Sequence, residues 1–279
     1  MATWGQAIAC ATQRFSDAGL ASPEVDARLL AQWIHGSNPE LSAQMTPGAQ
    51  TKFDDATSRR AQFEPLQHII GLMWFRYLEL RSKPGVFIVR PETEMVAQAG
   101  IDVLEGLKVA EPVVVDLCTG SGAIAIAIAT EVPRAHVWAV ELDPTAYQLA
   151  RLNNENYGSR VHMVQADAAT ALPQLRAAVD VVITNPPYVP QSLALPPEVL
   201  RDPPAALFGG GDDGLEIPRI LVKRAYELLK PGGVLIMEHG DDQGKALVDF
   251  AQDNGFIHGS TGRDLTGRDR WLYAEKEGL

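Results

Sequence analysis

The sequence predicts an α/β protein: a mostly parallel β-sheet with helices on both faces, a small helical bundle before it, and a β-hairpin joining the two. Three observations carry this. From about residue 110 onward, short runs rich in Val and Ile alternate with helical patterns, the signature of βαβ units in a sheet buried on both faces. The N-terminal quarter shows helix starts and stops but no strand pattern. Between these parts, FRYLELRSKPGVFIV alternates apolar and polar residues around Pro84-Gly85, as two strands and a turn would. The expected organisation is a helical domain over residues 1–74, a linker hairpin over 75–93 and a sheet domain over 94–279.

Each element has its own warrant. Trp4, Ile8, Ala11 and Phe15 share one helical face, and Gly19 stands where a left-handed C-cap would end the helix. Ser22-Pro23-Glu24 reads as an N-cap followed by proline at the first helical position, with the helix closing at Gly36. Thr46-Pro47 repeats that start for a third helix reaching about Phe63. The apolar faces are thin, so these helices are expected to pack on one another as a bundle. The strands of the sheet are read in PVVVDLC, HVWAVEL, VHMVQAD, VDVVIT and GGVLIMEHG. Helices are read in GAIAIAIAT, PTAYQLARLNNEN, LEIPRILVKRAYELLK and KALVDFAQDNG. The tail, GFIHGSTGRDLTGRDRWLYAEK, reads as an antiparallel pair at one edge. Residues 189–214 are rich in Pro and Gly, a length and texture usual for a lid or binding loop.

Composition bounds the function. Hydrophobic residues make up 46% and charged residues 21% of the 279, which is ordinary for a globular chain. No run approaches the ~18 apolar residues of a membrane span, so no membrane partner is expected. MATWGQAIACATQRF lacks a basic start and a continuous apolar core, so no signal peptide is expected. The two cysteines, Cys10 and Cys118, are far apart and form neither a disulfide framework nor a metal cluster; a cytoplasmic location and no bound metal are the resulting expectations. Residues 94–279 carry 15 Lys/Arg against 26 Asp/Glu, and the whole chain has a formal net charge of −11. Gripping a duplex requires a basic face, so no direct nucleic-acid partner is expected, and the chain is expected to act as a monomer.

The first sheet strand ends in Asp116-Leu117-Cys118-Thr119-Gly120-Ser121-Gly122 and opens a helix. Glycines there permit a tight turn and close backbone approach to a ligand. No Gly-Lys-Ser/Thr comes after it, so this is not a P-loop, and it is not a clean GxGxxG. The second strand ends in Glu141, placed to accept from both ribose hydroxyls of a nucleoside, and Asp167 comes after the third, within reach of an adenine amino group. Each acid has a plain structural explanation alone; together, in strand order, they describe a nucleoside site. Nothing basic waits for phosphates. A cationic, adenosine-based cofactor suits such a pocket, which points to S-adenosylmethionine, with S-adenosylhomocysteine as product.

The fourth strand runs into Asn185-Pro186-Pro187-Tyr188. As a stop signal this needs no function, since proline cannot donate to a ladder. As a site, the Asn185 side-chain oxygen and the Pro186 carbonyl form an acceptor pair beside the cofactor. An amide or aromatic amine is a poor nucleophile because its lone pair is delocalised. Two acceptors on its N–H bonds would aim it and stabilise the positive charge that develops. Tyr188 offers a flat face to a planar –NH2 group.

With DLCTGSG, VEL, QAD and NPPY the chain resembles class I amino-methyltransferases. EPLQHIIG at 64–71 and VRPETE at 89–94 are similar to the segments that mark the release factor glutamine methyltransferases, the HemK/PrmC family. The resemblance spans nearly the whole chain. It implies a Rossmann-like class I methyltransferase sheet and methylation of the side-chain amide (N5) of the glutamine in the Gly-Gly-Gln loop of peptide chain release factors. The helical N-terminal domain would recognise that partner. Cys118, Thr119, Gly120, Ser121, Gly122 and Glu141, with Asp167, Ala168 and Asn185, would hold the cofactor. Thr93, in the VRPETE segment read as immediately preceding the first strand, would cap its methionine end. Asn185, Pro186, Pro187 and Tyr188 would hold the glutamine amide, with Asn185, Pro186 and Tyr188 catalytic. Cys118 stands where the family more often has glycine, and Ala168 where some members have a large aromatic. The alternatives are an adenine-N6 methyltransferase of DNA or RNA, a glutamine methyltransferase of a ribosomal protein, and a non-catalytic cofactor-binding module.

Overall fold

The computed structural model describes residues 2–278. Two units are distinguished: the segment up to Leu72 with Ser82–Pro84 and Leu195–Arg201, and Met73–Arg81 with Gly85–Ala194 and the chain from Asp202 onward.

The first unit is built on four helices, α1 (Trp4–Ala18), α2 (Pro23–His35), α3 (Pro47–Arg60) and α4 (Leu66–Ile70). Thr3 and Gln6 form a reciprocal capping box at the start of α1, and Gly19 ends it at φ 82°. Pro23 opens α2 as expected, although the Ser22 side chain makes no capping bond. Phe15, Leu30, Met45 and Phe53 fill the core between helices. α3 stops at Arg60, short of the expected Phe63, because the chain turns there with Phe63 at φ 62°. Arg60 is buried: Nε donates to Asp26 at 2.7 Å and a terminal nitrogen to Glu198 at 2.9 Å. Burial raises the Asp26 pKa even with Arg60 beside it.

The hairpin consists of β1 (Leu72–Phe75) and β2 (Leu78–Arg81), so it turns at Arg76-Tyr77 and not at Pro84-Gly85. Arg76 takes φ 53°. Its backbone N–H donates to Glu94 at 2.9 Å, and its guanidinium bonds Glu131 at 2.6 and 2.7 Å and Gln98 at 2.8 Å. The alternating pattern is blind to these distant partners. A second correction concerns VRPETE, which opens a helix, α5 (Thr93–Gly106), and does not directly precede the first sheet strand.

Seven strands form the sheet: β3 (Val113–Leu117), β4 (His136–Glu141), β5 (Val161–Gln165), β6 (Val179–Thr184), β7 (Leu229–Glu238), β8 (Phe256–Arg263) and β9 (Asp269–Lys276). Their order is β5-β4-β3-β6-β7-β9-β8, all parallel from β5 to β7, with β9 running antiparallel between β7 and β8. The connecting helices are α6 (Ala123–Glu131), α7 (Pro144–Asn156), α8 (Pro204–Leu207), α9 (Glu216–Leu228) and α10 (Gly244–Asp253). Val96, Ile101, Leu104, Ile126 and Ile128 pack on one face of the sheet; Leu221, Val222, Leu228 and Leu247 pack on the other. Among the described residues no helix is long and apolar enough to cross a membrane.

Strand succession runs outward through β4 and β5 on one side of β3 and through β6 and β7 on the other. This reversal leaves a crevice at the carboxyl ends of β3 and β6, where open α/β sheets bind ligands. Asp180, which interrupts the apolar run of β6, is buried near the opposite, amino end of that strand. It accepts from the Val113 N–H at 2.9 Å and pairs with Lys230. In the 189–214 segment, Val189 N–H donates to Leu207 O at 2.8 Å and Gly209 N–H to Val189 O at 3.1 Å. The far end of that segment is thus tied back onto its beginning.

Replacing Arg60 by Ala should cost about 3–5 kcal/mol, because a buried carboxylate at Asp26 loses its cation. The double change Asp26→Leu, Arg60→Met should lose much less in urea denaturation. Equal losses would mean that Arg60 acts through its packing and not its charge.

Candidate active site

The turn after β3 is held from beneath. Asp116 is fully buried; its Oδ2 accepts from the Thr119 hydroxyl at 2.6 Å, while Oδ1 has no hydrogen-bond partner among the described residues. Burial drives its pKa up to about 7 against the opposing Thr119 bond. Cys118 lies in the left-handed region at φ 63°, where glycine is the ordinary occupant. The backbone path expected of a glycine is therefore kept with a side chain attached. Burial, reinforced by Glu141, raises the Cys118 thiol pKa, which leaves it a poor nucleophile. Thr119 N–H donates to Val140 O at 2.9 Å, tying the turn to β4. Gly120, Ser121 and Gly122 complete the turn into α6.

Glu141, at the end of β4, accepts from Gly120 N–H at 2.8 Å on Oε2 and from Asp143 N–H at 2.8 Å on Oε1. Its pKa is raised, chiefly by desolvation. Each oxygen retains a lone pair for a further donor. Asp167 is exposed beyond β5, where its carboxylate accepts from Ala169 N–H at 2.9 Å, and Ala168 beside it is buried. No Lys or Arg bonds Asp116, Glu141 or Asp167 among the described residues. The acceptor set is acidic and suits a cationic nucleoside.

β3 and β6 pair in parallel with Leu117 opposite Thr184, and the Thr184 hydroxyl donates to the Leu117 carbonyl. Asn185 therefore leaves the sheet beside the Cys118 turn. Asn185 is half-buried, and its Nδ2 donates to Thr93 Oγ1 at 3.3 Å. Thr93 itself is fully buried, so it stands behind Asn185. Pro186 and Pro187 are buried. The Tyr188 hydroxyl donates to Glu238 Oε1 at 3.0 Å, so its polar end is engaged as well as its ring.

Several residues behind this loop are not visible in the sequence pattern. Glu238 ends β7 next to β6, is buried, and has a pKa raised to about 7 by desolvation. Its one signal lies in VLIMEHG, a carboxylate closing a buried strand. Arg270 acts on Tyr188 and Glu238 and pairs with Asp264 at 3.1 Å. Gln243 donates to Tyr188 O and to Asp213 O, both at 2.8 Å. Neither Arg270 nor Gln243 has a local signature. Gly214, at φ 73°, explains the GGGDDG run: a Cβ there would lie 2.2 Å from Tyr188 O. That segment lies backbone to backbone against the Asn-Pro-Pro-Tyr loop.

An open α/β sheet in this strand order, with a glycine turn after its first strand and acids at the next two strand ends, is the class I methyltransferase fold. A crystallised methyltransferase from Pyrococcus furiosus shares it at TM-score 0.53 and 18% identity, over 84% of this chain and 100% of that one. The models for the PrmC N-terminal domain and the methyltransferase small domain match residues 6–71 and 77–212. The release factor glutamine methyltransferase of Streptomyces coelicolor is 46% identical over 274 residues, 96% of each chain. A 4-amino-L-phenylalanine/4-methylamino-L-phenylalanine methyltransferase of Streptomyces pristinaespiralis is 39% identical over 249 residues, 86% of this chain and 84% of that one. The chain belongs to the release factor glutamine methyltransferase family.

Asp116 and Glu238 tie stability to pH. Their folded pKa values of about 7 lie above the ~4 of unfolded carboxyls, so between these limits the folded chain holds protons that the unfolded chain has lost. Their contribution is greatest at low pH and falls as pH rises from about 4 to about 7. Urea unfolding at pH 5 and pH 8 should show a smaller pH-dependent loss for Glu238→Gln than for the wild type. The same loss in both would mean that Glu238 does not titrate in this range.

Proposed function

We propose that this chain transfers a methyl group from S-adenosylmethionine to the side-chain amide nitrogen (N5) of the glutamine in the Gly-Gly-Gln segment of peptide chain release factors. The observation that carries the reading is the orientation of Asn185. Its NH2 end is taken by Thr93, which leaves Oδ1 free to accept.

The acidic acceptor set, the orphan Asp116 Oδ1 and the left-handed turn at Cys118 fit a cationic adenosine derivative. Glu141 would hold the ribose, the Cys118–Gly122 turn would approach the methionine portion, and Asp167 with Ala168 would lie at the adenine. S-adenosylmethionine supplies an electrophilic methyl group on a sulfonium. The protein's part is positioning. Asn185 Oδ1 and the Pro186 carbonyl accept the two N–H bonds of the substrate amide and fix its plane. They also stabilise the charge that nitrogen gains as its delocalised lone pair is drawn into bonding. Pro186 and Pro187 hold the carbonyl direction with restricted φ and bring no competing N–H. The Tyr188 ring covers the amide plane, its tilt set by the bond to Glu238. The helical unit would supply recognition of the protein substrate, and the enzyme would work as a cytoplasmic monomer.

The pristinaespiralis relative keeps a second reading in view, because an aromatic amine is also a planar –NH2 group. The match of the PrmC N-terminal domain over residues 6–71 favours the protein substrate. Radiolabel from S-adenosylmethionine should enter release factor, and not its Gly-Gly-Gln→Gly-Gly-Ala variant, DNA or 4-aminophenylalanine. Label in the small amine or in DNA, with none in release factor, would overturn the proposal.

Asn185→Ala should slow methyl transfer by about 10²- to 10³-fold, as for the loss of one preorganised hydrogen bond at a developing charge, with cofactor affinity nearly unchanged. A wild-type rate would refute the acceptor role. Glu141→Ala should weaken cofactor binding by about 10- to 100-fold through the lost charge-assisted bonds. Calorimetry showing unchanged affinity would remove Glu141 from the site.

A further inference from the structure

We infer that Gln243 is a positioning residue for methyl transfer: its side-chain NH2 group holds the Tyr188 carbonyl and so fixes the direction of the Asn185 and Pro186 acceptors. The inference rests on the acceptor role proposed above for those two residues.

The Asn-Pro-Pro-Tyr loop is short of donors. Pro186, Pro187 and Pro190 have no N–H. That keeps competitors away from a substrate amide, but it also leaves few partners for neighbouring carbonyls. The 209–214 backbone closes on this loop from one side. A Cβ on Gly209 would lie 2.7 Å from Pro187 O, and one on Gly214 would lie 2.2 Å from Tyr188 O and 2.8 Å from Pro190 N. Tyr188 O and Asp213 O are near enough to share one nitrogen. Two carbonyls cannot bond each other, and a buried carbonyl without a donor is costly.

Gln243 supplies both donors. Its Nε2 lies 2.8 Å from Tyr188 O and 2.8 Å from Asp213 O, so each carbonyl takes one amide hydrogen. Its Oε1 accepts from Gly240 N–H at 2.8 Å, and its own backbone N–H donates to Gly240 O at 3.0 Å. This reciprocal pair sets the amide's orientation. An N–H only donates, so Oε1 must turn to Gly240 and NH2 to the two carbonyls. Gln243 is buried at the N-cap of α10, yet its side chain makes no capping bond to that helix.

Few torsions separate this contact from the acceptors. At one end of the loop, Thr184 closes β6 and its hydroxyl donates to Leu117 O. At the other, the peptide joining Tyr188 to Val189 is held on both edges: its N–H by Leu207 O at 2.8 Å, its carbonyl by Gln243. Between these anchors, proline restricts φ at 186 and 187. Without Gln243 the peptide can pivot about its one remaining bond, and the Pro186 carbonyl swings with it.

Gln243→Met keeps the side-chain length and removes both donors. It should lower kcat for release factor by about 10- to 100-fold, as a shift of the acceptors by up to about 1 Å would. Cofactor Kd should stay within about twofold, because neither bonded carbonyl belongs to the Cys118 turn or to Glu141. Rates are counted per cofactor-binding site, measured by calorimetry, so that an unfolded fraction does not mimic the loss. Gln243→Lys separates donation from packing. Lys276 already donates from Nζ to two main-chain carbonyls, Tyr226 O and Leu229 O, both at 2.7 Å. The same arrangement at 243 should recover most of the rate lost in Gln243→Met. A side chain that only filled space would give the opposite order, since a buried cation is costlier than a thioether.

A folded Gln243→Met enzyme with wild-type kcat, or a Gln243→Lys enzyme no faster than Gln243→Met, overturns the inference. If Gln243→Met does not fold, Gln243→Glu takes its place. It keeps the shape and the Gly240 bond but carries at most one donor, so a wild-type kcat there overturns the inference too. If Asn185→Ala keeps the wild-type rate, the acceptor reading itself fails. If Asn185→Ala is slow while Gln243→Met is not, only the role of Gln243 fails.

Discussion

The parallel pairing of β3 with β6 is the contact on which the site depends. It is pinned at both ends. At the start, the buried Asp180 carboxylate receives the Val113 N–H; at the finish, the Thr184 hydroxyl donates to the Leu117 carbonyl. A slip of one residue would turn every side chain of β6 to the opposite face. It would bury Asn185 or carry it away from the Cys118 turn. Because parallel strands end on the same edge, two distant segments emerge side by side with no other device.

The Asn-Pro-Pro-Tyr loop beyond β6 has no regular structure, so its rigidity comes from the groups that stand behind it. Gln243 ties the Tyr188 carbonyl to the Asp213 carbonyl through one side-chain amide. Gly214 lets the 209–214 backbone close to distances that no side chain would permit. Glu238 anchors the Tyr188 hydroxyl in the interior. The role proposed for this loop, holding a weak nucleophile in one orientation, would gain from such preorganisation, since little then has to move as charge develops. The cost is a pair of buried acids, Asp116 and Glu238, with raised pKa values. Stability is given up there for electrostatic placement.

The sheet strands are legible because a strand buried on both faces is written as a continuous apolar run. The N-terminal helices are legible from Pro23, Pro47 and Gly19, whose conformational limits act locally. Other features fail to show for equally physical reasons. The alternation of 75–89 is the same whether the chain turns at Arg76 or at Gly85; Glu94 and Glu131, far along the chain, select Arg76. The start of α5 is masked by the VRPETE motif, although Val96, Ala97, Ile101 and Leu104 have helical spacing. Nor does the motif show that Thr93 is fully buried and receives the Asn185 Nδ2 donor.

By itself, the sequence determined the fold class, the strand ends and the chemical types placed on them: a glycine turn and acids after β3, β4 and β5, an amide and two prolines after β6. These are local properties of runs and motifs. Tertiary structure alone decided that Cys118 adopts a glycine-like φ, that Tyr188 is anchored by its hydroxyl, and which way the Asn185 amide faces. Each of those depends on a partner tens of residues away, brought near by strand order. No periodicity along the chain encodes that.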